Sequence, residues 1–408
     1  MPTLAYAYTG RDARGKLVKG QVDAPSESAV AARMKTMGLA PISIDESKTG
    51  TGLSKEISIP GFSKGVGLKD LAIMSRQMAT MIAAGLSLLR TLTILSEQTP
   101  SKPLAKILRE VTVDIESGVS LSDALNKHGE SFPPIMINLV RAGEIGGFLD
   151  GALETIAKNF ESEVKLRGTI KSALTYPVIV LIMAVVAVIA MLVFIVPVFQ
   201  KMFTGLGGEL PLPTQMLVTI SGAMPFVLPV LIIGGIAFAV WWRTNKNTER
   251  VRKAIDPIKL KLPVFGKLFT KLAVARFARN FSSMIGAGVP ILQALQIVGE
   301  TSGNWVVENA LKNVAESVRQ GRSIAEPLVQ EPVFPPMVTQ MIAVGEDAGA
   351  LEQMLSKIAD FYDQEVQSAT EQLTAMIEPL MVAFLGVVVG GMIVALYLPI
   401  FNIFTLIK

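Results

Sequence analysis

Cysteine is absent from this 408-residue chain, and histidine occurs once, as His128. Without thiols there is no disulfide, no thiolate metal site and no cysteine nucleophile. One histidine excludes multi-histidine metal sites. His128 lies between a capping-box helix and a Pro-Pro turn, which reads as a structural position. Charge is also scarce: 18% of residues are charged, against about 25% in average soluble chains. The net charge of +4 is not gathered into one patch, so nucleic acid is not an expected partner. The first residues hold no apolar core flanked by basic residues, so no signal peptide is expected and the N-terminus is expected in the cytoplasm. No Walker loop, dinucleotide fingerprint, His-Glu-x-x-His, Gly-x-Ser-x-Gly or zinc spacing occurs. Gly205-Leu206-Gly207-Gly208 reads as a plain loop.

What is present is apolar: 50% of the chain is hydrophobic. The stretch from Ser172 to Gln200 runs 29 residues without a charge. A helix needs about 20 apolar residues to cross a bilayer, so this stretch is long enough. A second uncharged stretch, Leu210 to Trp242, is interrupted by Pro211, Pro213, Pro225 and Pro229 and ends at Trp241-Trp242, residues that favour the membrane interface. One crossing over 217–242 fits within it, after an extended connector. A third uncharged run spans Pro379 to Ile407, with a crossing expected over 379–403.

The remaining chain divides around these crossings. Residues 1–46 read as a small α+β module: alternating residues from Leu4 to Tyr8 and Lys16 to Val22 suggest strands, Ser26 a helix N-cap, and Pro41 to Ile44 a third strand. Residues 47–67, rich in Ser, Gly and Lys, read as a flexible linker. Residues 68–171 and 270–375 read as all-helical, with Leu71, Met74, Met78, Met81 and Ile82 at the spacing of a bundle core.

These two helical stretches are copies. Arg76-Gln77-Met78 corresponds to Arg279-Asn280-Phe281, and Gly118-Val119-Ser120 to Gly321-Arg322-Ser323. After a one-residue slip, Phe132-Pro133-Pro134 meets Phe334-Pro335-Pro336, Gly143-Glu144 meets Gly345-Glu346, Pro177 meets Pro379 and Pro197 meets Pro399. Each copy is a helical bundle followed by a crossing, so one more crossing must join them if both bundles share a side. Lys158, Lys165, Arg167 and Lys171 precede the first crossing, and Arg243, Lys246, Arg250, Arg252 and Lys253 follow the second. By the positive-inside rule both bundles are expected in the cytoplasm, and parity then puts the C-terminus outside. The third crossing follows Asp363, Glu365, Glu371 and Glu378, which carry the opposite charge.

Candidate functional residues are few. Gly143-Glu144 and Gly345-Glu346 read as tight turns whose glutamates occupy a helical first turn, where they suit the helix dipole, or as partner contacts. Arg76 and Arg279 are each expected to pair within their own bundle or to present charge to a partner. Asp150 and Glu154 lie one helical turn apart, and Glu97 can approach them if the bundle closes. Three carboxylates can hold calcium. A solvated acidic face is the commoner outcome, and the second copy has Glu300 and Glu352 but Ser356. Tyr176-Pro177 is a candidate hinge, since proline removes a backbone hydrogen bond, and Pro197, Pro379 and Pro399 mark further hinge positions in the membrane runs. The crossings hold no charged residue, which argues against a transporter.

Two helical repeats with Phe-Pro-Pro, then Gly-Glu, then Tyr-Pro and a membrane run ending in Pro resemble the type II secretion F / PilC family. The second copy departs by placing Glu378 where the first has Tyr176. The resemblance implies a mainly α membrane protein with two homologous cytoplasmic bundles of about six helices each, three transmembrane helices and a small N-terminal α+β module. It implies an inner-membrane platform for type IV pilus assembly that is not an enzyme. Its implied partners are hexameric extension and retraction motor ATPases, pilin subunits, other inner-membrane pilus components, membrane lipids and further copies of itself. A type II secretion platform driving a pseudopilus is the alternative. The trio Glu97, Asp150 and Glu154 is similar to a calcium site in secretion members; no other cofactor is implied. A reporter fused after Lys408 should be active only outside the cytoplasm, and cytoplasmic activity would rule out three crossings.

Overall fold

The computed structural model describes residues 4–11, 17–24, 27–37, 40–46, 65–204, 210–263 and 265–406. The Ser26 cap, most of the linker and Gly205 to Gly208 lie outside the described residues. The chain forms two units, residues 1–64 and 65–408.

In the first unit, alternation produces strands. β1 (Leu4–Arg11), β2 (Leu17–Ala24) and β3 (Ala40–Glu46) form an antiparallel sheet in the order β2-β1-β3. Leu4 pairs with Ala24 and Arg11 with Leu17, while the β1–β3 register shifts at Thr9 and Gly10. Helix α1 (Glu27–Thr36) contributes the buried Val30 and Met34, one helical turn apart, and β1 contributes the buried Tyr6.

The second unit is helical. The first bundle comprises α2 (Leu68–Ala83), α3 (Leu88–Gln98), α4 (Lys102–Glu116), α5 (Leu121–Asn126), α6 (Pro134–Gly146) and the start of α7 (Leu149–Ala190). Leu71, Met74 and Met78 of α2 are buried, as their spacing requires of one helix face. Ser120 accepts a hydrogen bond from the Asp123 amide and starts α5. Five π-helical residues, Met191–Ile195, and α8 (Val196–Thr204) continue the rod of α7. After α9 (Leu212–Asn245) comes α10 (Glu249–Lys261). The second bundle comprises α11 (Phe265–Gly286), α12 (Ile291–Thr301), α13 (Trp305–Arg319), α14 (Ala325–Val329), α15 (Pro336–Asp347) and the start of α16 (Leu351–Leu406).

The copies repeat their punctuation as well as their helices. Gly85, Gly118 and Gly147 have positive φ, and so do Gly288, Gly321 and Gly349 at the matching positions. Each follows a helix, where a left-handed residue lets the last carbonyls be satisfied and glycine pays no steric penalty. Gln293 of α12 donates to Asn138 of α6 at 3.1 Å, and one apolar core runs through both bundles.

Three described helices, Leu149–Phe203, Leu212–Asn245 and Leu351–Phe401, are long and apolar enough to cross a membrane. Three features differ from the sequence reading. The expected extended connector is helical from Leu212, because Pro211 sits at the N-cap and Pro213 in the first turn, where a missing N–H costs nothing. Helix α10 emerges where no element was assigned. It is held by the buried Asp256, which accepts from the Trp305 amide at 2.9 Å and from Lys259 at 2.8 Å. The helix also passes through Tyr176-Pro177 without interruption, with Pro177 buried and Tyr176 57% exposed. The departure from α geometry lies just before Pro197, another of the expected hinge positions. There the proline breaks the ladder, and the amide of Val196 reaches back to the carbonyl of Met191.

Candidate functional site

The chain's polar chemistry concentrates where each bundle meets its long helix. In the first copy, Arg76 of α2 reaches across to α7. Its guanidinium forms two hydrogen bonds with Glu161, each 2.7 Å, and a further one with Glu154. In the second copy, Arg279 of α11 pairs with Asp363 of α16 and lies 3.6 Å from Asp360. The two arginines thus take up the same intrabundle role: each fastens the first helix of its bundle to the helix that continues into the membrane. A planar guanidinium suits this, because it grips a carboxylate with two parallel bonds.

The electrostatics of the two grips differ. Arg76 draws Glu154 and Glu161 below the usual carboxylate range, chiefly through its hydrogen bonds, and is itself raised. Their side chains remain 34–45% exposed, so each pair adds about 1 kcal/mol or less. Asp363 goes the other way. Burial raises its pKa, against the opposing pull of Arg279.

A further set of contacts joins the copies. Glu163 of α7 accepts from Arg276 of α11, with one bond of 3.0 Å, and from Arg167 on its own helix. Asn159 of α7 donates to Asn280 at 3.0 Å and to Ser283 at 3.4 Å. The sequence reading missed these contacts, using Arg167 only for charge and Asn280 only as a repeat landmark. The usable signal was the positions where the copies fail to match: Asn280 replaces Gln77, and Asn159 replaces Phe361. Nearer the membrane, Leu166, Leu268, Val366, Ala369 and Leu373 close this seam with apolar contacts.

The Gly-Glu pairs do not form the turns expected of them. Gly143 and Glu144 lie in the last turns of α6, and Gly345 and Glu346 in those of α15. Each glycine allows close helix packing. A Cβ on Gly143 would meet the Cβ of Ala152 at 2.6 Å and the Cα of Leu149 at 3.1 Å; one on Gly345 would meet Met354 at 2.9 Å. Each glutamate serves a helix N-terminus other than its own. Glu144 accepts from the amides of Leu121 at 2.6 Å and Ser122 at 3.0 Å, and Glu346 from those of Ile324 at 2.8 Å and Ala325 at 3.2 Å. The helix-dipole argument was sound but named the wrong helix, because the contact is between residues about 22 apart.

The trio Glu97, Asp150 and Glu154 is not assembled. Glu97 and Asp150 are exposed, and Glu154 is engaged by Arg76 and by Lys158 at 3.4 Å. Among the described residues no group of three acidic or histidine side chains could hold a metal ion. His128 lies 3.6 Å from Glu110 on an open surface hollow between α4 and α5. Pro177 and Pro399 are buried, Pro379 is exposed and Pro197 is half-buried.

Comparison with known proteins follows the same division of the chain. The profile described as Type II secretion system (T2SS), protein F, matches twice, over residues 74–197 and 277–399, and that of the protein F N-terminal domain matches residues 1–45. A Thermus thermophilus protein named type IV pilus assembly protein PilC is 45% identical over 98% of both chains. A Myxococcus xanthus protein of the same name is 42% identical over 98% of this chain and 95% of its own. Type II secretion system protein F of Vibrio cholerae is 31% identical over 97% of each.

Two outcomes follow from the geometry. Gly143→Ala should cost about 1–3 kcal/mol through overpacking, and Glu144→Ala a similar amount by stranding two amides. Gly345→Ala should cost less, because the closest approach there is 2.9 Å rather than 2.6 Å. Thermal unfolding of the detergent-solubilised chain measures all three. The second outcome concerns pH. The Arg76 grip contributes at neutral pH and is lost as pH falls through the depressed carboxylate pKa values, below about 4.5. The raised Asp363 has the opposite sign: its charged form is disfavoured, and protonation as pH falls relieves the burial cost. The stability gap between wild type and Glu154→Gln/Glu161→Gln should therefore close in acid, whereas the gap between wild type and Asp363→Asn should narrow as pH rises to neutral.

Proposed function

This chain belongs to the type II secretion system protein F family, and from that membership we propose that it is the inner-membrane platform of a type IV pilus machine. In this reading its bundles lie in the cytoplasm and receive movement from hexameric extension and retraction motor ATPases. Its membrane helices stand beside pilin subunits and couple that movement to pilin insertion and removal. Other inner-membrane pilus components, further copies of the chain and membrane lipids complete its surroundings.

One observation carries the coupling. The helix that closes each bundle is the same helix that crosses the membrane: α7 through α8 in the first copy and α16 in the second. At about 1.5 Å per residue, α16 is about 80 Å long. A displacement of a bundle cannot be absorbed by a linker, because none intervenes. The Arg76 and Arg279 grips act at the cytoplasmic end of these rods, where a motor would push. The arginines and lysines before the first crossing and at the C-terminal end of α9 favour a cytoplasmic position for both bundles, with the C-terminus outside. The two rods also differ at the membrane surface. Lys158, Lys165, Arg167 and Lys171 mark the first, and Glu365, Glu371 and Glu378 the second, so the copies suit different partner surfaces.

The higher identity to the PilC proteins than to the Vibrio cholerae protein F favours a pilus over a secretion pseudopilus. Deleting the gene should abolish surface fibres while the purified motor ATPase still hydrolyses ATP. Normal piliation in the deletion strain would overturn the proposal. Loss of secreted enzymes with intact fibres would point to the secretion reading.

A further inference from the structure

The three membrane helices converge on the side of the bilayer away from the bundles. Leu192 and Val196 of the first rod, Leu217 of α9, and Met392, Ala395 and Leu396 of α16 form a buried apolar cluster there. Two hydroxyls lie within this region. Thr214 and Ser221 are two helical turns apart on one face of α9, and they are 1% and 5% exposed. The Ser221 hydroxyl donates to the carbonyl of Leu192 at 2.5 Å, and that of Thr214 to the carbonyl of Ala395.

Neither acceptor is an ordinary helical carbonyl. The usual partner of Ala395 is the amide four residues on, which is Pro399 and has no N–H. For Leu192, the amide of Val196 is bonded to Met191 in the π turn, and the residue five on is Pro197, again without an N–H. An unsatisfied carbonyl in hydrocarbon is strongly unfavourable. The matching prolines of the two repeats therefore each strand a carbonyl, and α9, which belongs to neither repeat, supplies a hydroxyl to each. Beyond Ser221, α9 has no buried residue, so its packing against the rest of the chain is confined to this end.

We propose that α9 is a clasp: Thr214 and Ser221 bind the proline-stranded carbonyls of Ala395 and Leu192 and hold the membrane ends of the two repeats at a fixed spacing. The rods are joined at the bundles by Glu163–Arg276 and Asn159–Asn280 and at the far side by α9, so they move as one frame. The assembly arm of this inference rests on the platform reading; the clasp itself does not.

The absence of cysteine makes the clasp measurable in the full-length chain in its native membrane. Cysteine pairs placed at Leu217 with Met392, and at Val218 with Leu192, report its two sides through a short bismaleimide; a pair at Asn138 with Gln293 reports the bundles. Thr214→Val with Ser221→Ala should lower crosslinking at both membrane pairs by about threefold or more, the scale of one interhelical hydrogen bond in a bilayer, and leave the bundle pair unchanged. Thr214→Ser with Ser221→Thr should keep wild-type crosslinking. Pro197→Ala with Pro399→Ala leaves both hydroxyls in place but gives the carbonyls partners in their own helices, so it should also lower crosslinking. It serves equally if the first double variant fails to reach the membrane. Wild-type crosslinking in the proline variant, or in the hydroxyl-free one, would overturn the clasp. Fibres should be lost in both variants at normal protein level. An opened clasp with normal fibres would overturn its part in assembly and leave the platform reading standing, which only the deletion strain tests.

Discussion

The backbone of a chain inside hydrocarbon must find a partner for nearly every N–H and C=O, and this constraint shapes more of the molecule than any single side-chain contact. It makes the membrane segments helices and lets two of the three grow directly from a bundle helix, because breaking the ladder at the membrane surface would expose further polar groups. It also gives proline a specific meaning. Pro197 and Pro399 each leave a carbonyl without its helical amide, and the chain meets both needs from one neighbouring helix. Pro177 is buried in continuous helix, and α9 passes through Pro225 and Pro229 without interruption. A proline in a membrane helix is thus a demand on its surroundings, and whether it becomes a bend depends on what meets that demand.

Duplication supplies the rest of the design. Each copy uses an arginine on its first helix to hold its last, a glycine to bring its fifth helix against its last, and a glutamate to cap its fourth. These devices recur at matching positions, though Ser356 stands where the first copy has Glu154, and the copies have separated in electrostatics. The first grip is an exposed network that favours charged carboxylates; the second includes a carboxylate whose burial disfavours charge. The contacts between copies use residues that the duplication does not preserve, such as Asn159 and Asn280. Divergence falls where two identical halves must become one asymmetric body.

Under the proposed platform function, coupling between bundle and bilayer would follow from continuity. A motor acting on a bundle would act on a rod whose other end lies in the membrane, and a second rod beside it is joined at the bundles and again at α9. A frame fastened at both ends transmits displacement with less loss than one fastened at a single end. The apolar seam of Leu166, Leu268, Val366, Ala369 and Leu373 lies along the frame between these fastenings.

The sequence by itself determined the helical class, the three membrane crossings, the repeat and the family, because these depend on periodicity, run length and spacing, which are local or self-referential properties of the chain. It also marked Arg76, Arg279, Glu144 and Glu346 as residues of interest. Only the tertiary structure decided what they do. Glu144 caps a helix about 22 residues away, Arg76 closes on Glu161 across the bundle, and the carboxylates Glu97, Asp150 and Glu154 stay apart. The expected hinge at Pro177 and the observed π turn before Pro197 involve the same residue type in the same run. Nothing in that run tells them apart, and the hydroxyl that meets the carbonyl near Pro197 belongs to Ser221, on another helix. Hydrogen-bond partners across helices depend on which faces meet, and a single chain's pattern records the faces but not their neighbours.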